Sequence, residues 1–326
     1  MRAVQLVKTI GPAGVRLADV AEPSSRPTEF LIDVHAAGVT FPDLLLSRGT
    51  YQRALPTPFV LGGELAGVVR SAPEGSHLRP GTPVAAIMPN FGAFAESAAV
   101  PADFVFPLPD DVPLDLAAGV PVNYLTMQLA FRGRTILMPG ETVLVHGAAG
   151  GVGVAAIQLA RAWAARVIAV ASSPEKREIA RAAGAHHVID VNGFRAAARE
   201  IAPDGVDIVV DPVGGDRLLD SVRTLADEGR LLVVGFAGGS IPTLRVNRLL
   251  LHNQSLIGVN LGISADRISV DLGTDLVDRW GELVPLLADG TIAPFIGARL
   301  PLDRAAEALA ALEGRTGLGK ILLEVR

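Results

Sequence analysis

The chain has no cysteine among its 326 residues. That excludes disulfides, thiolate catalysis and any zinc site needing Cys ligands. Aromatic residues are scarce as well, at 5% with only two tyrosines, and no Lys/Arg cluster interrupts a net charge of −5. Nucleic-acid binding therefore has little electrostatic support. Hydrophobic residues make up 49% of the chain and mean hydropathy is +0.39, yet no uninterrupted apolar run approaches a membrane span. The opening MRAVQLVKTIGPAGV shows no signal-peptide core or cleavage site. The expectation is a cytoplasmic protein without a membrane partner. Its length suits two domains.

What is present centres on residues 142–160, TVLVHGAAGGVGVAAIQLA. Thr142 to Val145 form a short apolar, β-branched run, which predicts a strand buried on both faces. A glycine turn follows with Gly147, Gly150, Gly151 and Gly153, and from Val152 the apolar positions recur at helical spacing. Strand, glycine turn and helix are the parts of a dinucleotide-binding crossover. Gly147 allows a tight turn, Gly150 removes a Cβ where pyrophosphate must touch backbone, and Gly153 lets the helix pack against the sheet. The helix N-terminus, at Gly151 and Val152, offers N–H groups and partial positive charge to the phosphates.

The Gly-x-x-Gly-x-x-Gly spacing varies the commoner fingerprint, so its context decides. A second apolar strand at Arg166–Ala171 and a capped helix in SSPEKREIARAAGA complete a βαβ unit. The plainer alternative is such a unit without a ligand. An NAD site usually ends the second strand on Asp or Glu. Here Ser172 and Ser173 stand there, with Lys176 and Arg177 one turn on. Hydroxyls and cations suit a 2′-phosphate, which predicts NADPH, although either serine could also be only an N-cap.

Along the rest of the chain, residues 1–8 and 30–39 read as strands, and Pro and Gly punctuate short apolar pieces through 106. That pattern predicts a compact, mostly-β, barrel-like unit. Residues 113–131 read as a helix or helix pair. Further strands are expected at 206–215, 229–236 and 254–260, giving six parallel strands with right-handed crossovers. Residues 271–289 look helical, 299–315 look like an amphipathic helix with its N-cap near Asp303, and 319–325 a strand returning to the first domain. The fold class is thus α/β. Its β-rich domain spans 1–121 and 263–326, and a doubly wound parallel-sheet (Rossmann) domain spans 122–262.

The segments GVTFPDLLLSRGTYQ, PFVLGGELAGVV, GAFAE, VNYLT, VLVHGAAGGVGVAAIQLA, ASSPEKR, DPVGG, LLVVGF and GKILLEV, in this order, resemble the zinc-independent quinone oxidoreductase branch of the medium-chain dehydrogenase/reductase superfamily. The resemblance covers nearly the whole chain and implies a GroES-like catalytic domain beside the Rossmann domain. It also bears on metal. In zinc-dependent alcohol dehydrogenases a Cys ligand stands where Thr40 is, and a His ligand where Gly63 precedes Glu64. Both are missing and His35 stands alone, so no metal is expected.

The resemblance further implies that Tyr51 and Thr40 meet the substrate pocket and that Thr126 lies beside the nicotinamide carboxamide. Gly235, Phe236, Val259 and Asn260 would wall the nicotinamide half. Asn123, polar in an apolar stretch, could face that cleft or cap a helix; Tyr51 could instead merely cover a loop. Two departures stand out. Many family members carry Asn where Thr40 stands, and an aromatic or His near Val191. The implied activity is NADPH-dependent hydride transfer to a quinone or related conjugated carbonyl. Its rivals are an enoyl or 2-alkenal reductase, for which Arg48 and Arg53 could serve large thioesters, and a cofactor-binding protein with little catalysis. The apolar strand 254–260 is expected at a sheet edge, where a second copy could pair to form a homodimer.

Overall fold

Residues 29–39, EFLIDVHAAGV, alternate half-buried and buried positions for six residues and end in the buried run AAGV. The outcome is an 11-residue strand, Glu29–Val39, half-buried at its start and fully buried at its end. The computed structural model describes residues 1–261 and 270–326, with side chains described from 276 onward in the second stretch. The chain divides into two compact units, residues 1–125 with 262–326 and residues 126–261. The local structure where the chain was expected to return to the first domain lies outside the described residues.

In the first unit a seven-stranded sheet is built on Glu29–Val39. Its spatial order is Ile296–Pro301, Lys320–Glu324, Glu29–Val39, Glu64–Ser71, Pro83–Ile87 and Val105–Pro107, with Ser97–Pro101 also paired to Glu29–Val39. The closing strand Lys320–Glu324 runs antiparallel to Glu29–Val39, so the C-terminal strand belongs to this unit as expected. A smaller antiparallel sheet joins Val15–Asp19, Arg2–Leu6 and Phe59–Val60. The strand Val15–Asp19 has no forecast in the sequence; it is short and exposed along much of its length.

The forecast helix at 299–315 needs correction. Residues Ile296–Pro301 are a strand, Leu302–Arg304 a 3₁₀ turn, and the helix is Ala305–Glu313 with Arg304 at its N-cap. Pro301 is the reason: it fits no helix interior and holds the residue before it extended. Asp303 therefore sits inside the 3₁₀ turn rather than capping. The helix pair expected at 113–131 is Leu114–Ala117 and Pro121–Leu129, followed by a π turn at Ala130–Arg134.

The second unit carries six parallel strands in the order His187–Asp190, Arg166–Ala171, Thr142–Val145, Val206–Asp211, Leu225–Val233 and Ser255–Gly258. Numbered along the chain this is 3-2-1-4-5-6, the dinucleotide-binding order. Central strands are apolar because helices cover both faces. Leu144, Ile168, Val170, Val209 and Leu231 pack with Phe194, Ala198, Leu218 and Val222 from helices Phe194–Ile201 and Leu218–Thr224. His187–Asp190 went unassigned in the sequence. It is an edge strand, half-exposed, and its HVID carries no apolar run. No described helix is long and apolar enough to cross a membrane.

Candidate active site

The glycine turn lies at the C-terminal end of the innermost strand, where Val143, Leu144 and Val145 are wholly buried. Gly147 has φ of 57°, the left-handed region that favours glycine. A Cβ on Gly153 would stand 2.3 Å from the Gly147 carbonyl oxygen and 2.7 Å from Ala148 Cα, so the helix packs directly on the turn. Gly150 differs from both. It is exposed, has ordinary φ of −84°, and a Cβ there would meet only the Gly147 oxygen at 3.4 Å. It is also the N-cap of the 12-residue helix Gly151–Ala162, and no side chain caps that end. An uncapped helix N-terminus behind an exposed, side-chain-free residue fits a pyrophosphate.

Two further turns converge on this one. The Asp211 carboxylate, nearly fully buried, accepts the N–H groups of Val213 and Gly214 at 2.9 Å each and shapes the DPVGG turn. A Cβ on Gly147 would lie 3.1 Å from Val213 Cγ2, and one on Gly214 2.7 Å from the Phe236 ring. Gly147, Gly214 and the Gly235–Phe236 segment therefore meet at the ends of strands 1, 4 and 5. Gly235 and Phe236 are half-buried and Asn260 exposed, whereas the Val259 side chain is buried and leaves only backbone to offer. Thr126 is buried on helix Pro121–Leu129. Asp211 escaped the site reading; its signal was an Asp opening a Pro-x-Gly-Gly turn.

Past the end of strand Arg166–Ala171, Ser172 is exposed and Lys176 half-buried. The Ser173 hydroxyl accepts the Lys176 N–H at 3.3 Å as N-cap of helix Pro174–Ala182 and donates to the Glu175 carboxylate, holding it below its usual range. Arg177 forms an ion pair with Asp190. Val191 packs against the core cluster, so its apolar character is explained by packing.

The first unit contributes a second group of residues. Thr40 caps helix Phe41–Ser47 and is 5% exposed. Its hydroxyl donates to Asp43 Oδ2 at 2.6 Å, its N–H donates to the same oxygen at 2.8 Å, and Gly62 N–H donates to Oδ1 at 3.1 Å. Asp43 is wholly buried, and burial pushes its carboxyl up to about 6. The Thr40 bonds and Lys320 pull the other way, and Glu64 adds to the rise. Beside it Glu64 pairs with Lys320, both buried, and Glu64 accepts the Val122 N–H at 2.7 Å. Gly38 leaves the room: a Cβ there would sit 2.5 Å from Glu64 Oε1 and 2.8 Å from Lys320 Cε. Asn123, next in this helix, is 8% exposed.

Gly63 faces this group from the bend just before strand Glu64–Ser71. A Cβ on Gly63 would touch Thr40 Oγ1 and the Phe91 ring, each at 3.7 Å. The Tyr51 ring stands edge-on to Phe91 with centroids 6.0 Å apart. Burial, then Asp43, raise the Tyr51 phenol above its ordinary pKa, while Arg53 opposes them. Gly63 thus lies against both Thr40 and Phe91, Tyr51 stands edge-on to Phe91, and Asp43 is bonded behind Thr40. Phe91 was missed by the sequence reading; it has φ of 60°, which a phenylalanine seldom adopts. Arg48 and Arg53 are both engaged, Arg48 with Glu313 and Arg53 with Pro89 O at 3.0 Å and Asn90 Oδ1 at 2.9 Å. His35 is an exposed strand residue. Among the described residues no three His, Cys, Asp or Glu are grouped to hold a metal.

A β-rich unit with a seven-stranded sheet and a six-stranded parallel unit in dinucleotide-binding order define a medium-chain dehydrogenase/reductase architecture. Family models agree: that for the alcohol dehydrogenase GroES-like domain matches residues 26–110, and that for zinc-binding dehydrogenases matches 151–272. Rat quinone oxidoreductase-like protein 2 is 36% identical over 95% of this chain and 89% of its own. A probable oxidoreductase from Mycobacterium abscessus superposes with a TM-score of 0.89 at 41% identity, over 100% of this chain and 99% of that one. The quinone oxidoreductase of Thermus thermophilus, solved also in complex with NADPH, gives 0.84 at 33% identity over 100% of both chains. The chain belongs to the quinone oxidoreductase-like group of the medium-chain dehydrogenase/reductase superfamily.

Proposed function

We propose that this protein is an NADPH-dependent oxidoreductase that reduces a quinone or similar conjugated carbonyl without a metal ion. The observation that carries the reading is the uncapped helix N-terminus behind exposed Gly150, joined to a parallel sheet in dinucleotide-binding order. When bound, NADPH supplies hydride from C4 of its nicotinamide. The turn Gly147–Gly153 holds the pyrophosphate by backbone N–H groups, and Gly235, Phe236, Val259 and Asn260 wall the nicotinamide half. Thr126 and Asn123 are the polar groups assigned to the cofactor. Ser172, Ser173 and Lys176 meet the 2′-phosphate, which favours NADPH over NADH.

Thr40 and Tyr51 meet the substrate in this reading, beside Phe91. Thr40 and Gly63 offer no metal ligand, and the carboxylates of Asp43 and Glu64 are already bound by Thr40, Gly62, Val122 and Lys320. Catalysis then rests on positioning and exclusion of water. The division of labour assigns substrate groups to residues 1–121 and 263–326 and cofactor groups to 122–262. The protein is taken as cytoplasmic and as a homodimer through strand 254–260.

The nearest alternative is reduction of a 2-alkenal or enone, which the same groups could serve. Bulky anionic thioesters are disfavoured because Arg48 and Arg53 are committed to Glu313 and to the 89–90 loop. NADPH oxidation with 1,4-benzoquinone, 9,10-phenanthrenequinone and 2-alkenals tests the assignment. Turnover with quinones and no free semiquinone by spin resonance is expected. Tight NADPH binding with no turnover of any acceptor would leave a cofactor-binding protein instead, and equal kcat/KM for NADH would remove the cofactor preference.

A further inference from the structure

We propose that Asp43 stores the proton of the reaction and passes it through the Thr40 hydroxyl to the oxygen of the reduced substrate. The inference rests on the assignment of Thr40 to the substrate and adds a residue to which nothing above gives a part in the reaction. Three observations point to it.

Asp43 is wholly buried, yet its Oδ2 lies 2.6 Å from Thr40 Oγ1, short enough for a proton to cross. Thr40 Oγ1 also faces Gly63, where a Cβ would stand 3.7 Å from it and 3.7 Å from the Phe91 ring, and Tyr51 lies edge-on to that ring. The hydroxyl therefore stands between a sealed carboxyl and the space assigned to substrate. Finally, the charged and titratable groups facing Asp43 are Lys320, Glu64 and Tyr51. Lys320 is committed to Glu64, and burial leaves the Asp43 carboxyl titrating at about 6, where a general acid is effective near neutral pH.

The step balances. Hydride adds to the β-carbon or ring carbon, and its electron pair leaves the carbonyl oxygen with negative charge. The Thr40 O–H bond breaks as its proton joins that oxygen. Asp43 Oδ2–H gives its proton to Thr40 Oγ1, which restores the hydroxyl and leaves Asp43 as carboxylate. After product leaves, water gives a proton to Thr40 Oγ1 as the Thr40 hydroxyl passes its own to Asp43 Oδ2, so the carboxyl is recharged by the same route. Asp43 acts through Thr40 and touches no substrate, so it is a positioning residue with a proton to give. Enolates of 2-alkenals and enones depend on this route more than hydroquinone anions, which are weaker bases.

The test uses the full chain with NADPH and a 2-alkenal or a quinone across pH 4.5–9. For the wild type, kcat is expected to fall above about pH 6, with a protonated-carboxyl infrared band that disappears over the same range. Asp43→Asn keeps an acceptor for Thr40 and Gly62 but holds no such proton. It should lose the band, flatten the profile and lower kcat roughly 100-fold at pH 5. Thr40→Val should lower kcat alike while keeping the carboxyl band, and Thr40→Ser should restore activity. Circular dichroism and the NADPH-induced rise in Tm report whether each variant folds and binds cofactor. If Asp43→Asn folds poorly, the Thr40 pair carries the test. Turnover with an unchanged pH profile in Asp43→Asn, or a wild-type carboxyl band that never titrates, overturns the relay alone. No turnover of any acceptor by a wild type that binds NADPH overturns the functional reading with it.

Discussion

Gly150 and Gly153 are three residues apart in one motif, but the structure requires them for different reasons. A Cβ on Gly153 meets backbone at 2.3–2.8 Å, which no rotamer can relieve. Gly153→Ala should therefore lower stability by about 1–3 kcal/mol and weaken NADPH binding with it. At Gly150 the backbone suits any residue and the added atom meets nothing closer than 3.4 Å. Gly150→Val should leave Tm within a degree or two, while calorimetry shows NADPH affinity reduced at least tenfold. A Gly150→Val protein that binds NADPH normally would remove the pyrophosphate from this turn. The contrast also shows what could be read beforehand. Both glycines were legible because strand, turn and helix are contiguous. Glu64 and Lys320 were not, since they are 256 positions apart and no local spacing announces their pairing, whereas Asp43 had only the Thr-x-x-Asp spacing of a helix cap to mark it, which says nothing of its burial. Phe91 was hidden likewise, in a loop whose only marks are Pro89 and Gly92.

At the scale of elements, the junction of the first strand of the parallel sheet with helix Leu218–Thr224 depends on a neutral histidine. His146 is wholly buried against the edge of Phe194, and its Nε2 lies 2.9 Å from Ser221 Oγ. Ser221 donates its own proton to Arg217 O at 3.0 Å, so His146 Nε2–H must be the donor and Nδ1 is left without a partner. Burial first, and then Arg217, lower the His146 pKa from 6.5 to about 3. Its depressed value means that the unfolded chain binds a proton the native chain refuses. Stability is therefore intact above pH 6.5 and is lost as pH falls from 6.5 toward 3. The loss amounts to about 2 kcal/mol at pH 5. His146→Phe should lose less stability than wild type between pH 7 and pH 5 in denaturant titrations. Equal acid slopes in the two proteins would mean that His146 is not buried neutral. The central strands here were readable from apolar runs, whereas helices Phe194–Ile201 and Leu218–Thr224 had no forecast of their own. The edge strands His187–Asp190 and Val15–Asp19 were not, because half-exposed pairing needs no apolar run.

On the scale of the whole molecule, the parallel sheet ends on strand Ser255–Gly258, an edge whose outer side no other described strand pairs. Among the described residues strand Ser255–Gly258 pairs on one side only, with Leu225–Val233, and Leu256 is 41% exposed. Just before it Ile241, Val246, Leu250 and Leu251 are each at least two-thirds exposed. Single exposed apolar side chains are ordinary, but five within sixteen residues, running up to a free strand edge, call for a cover. The expected cover is a second copy of the same strand, because an isologous pairing satisfies both edges at once. Light scattering at micromolar concentration should then give twice 33.9 kDa. Leu250→Glu with Leu251→Glu places like charges on both sides of such a contact and should yield the monomer. NADPH binding should persist, since these residues lie outside the Gly147–Gly153 turn. A wild type that is already monomeric at that concentration would refute the pairing, and a charged variant that remains dimeric would move the contact away from this edge.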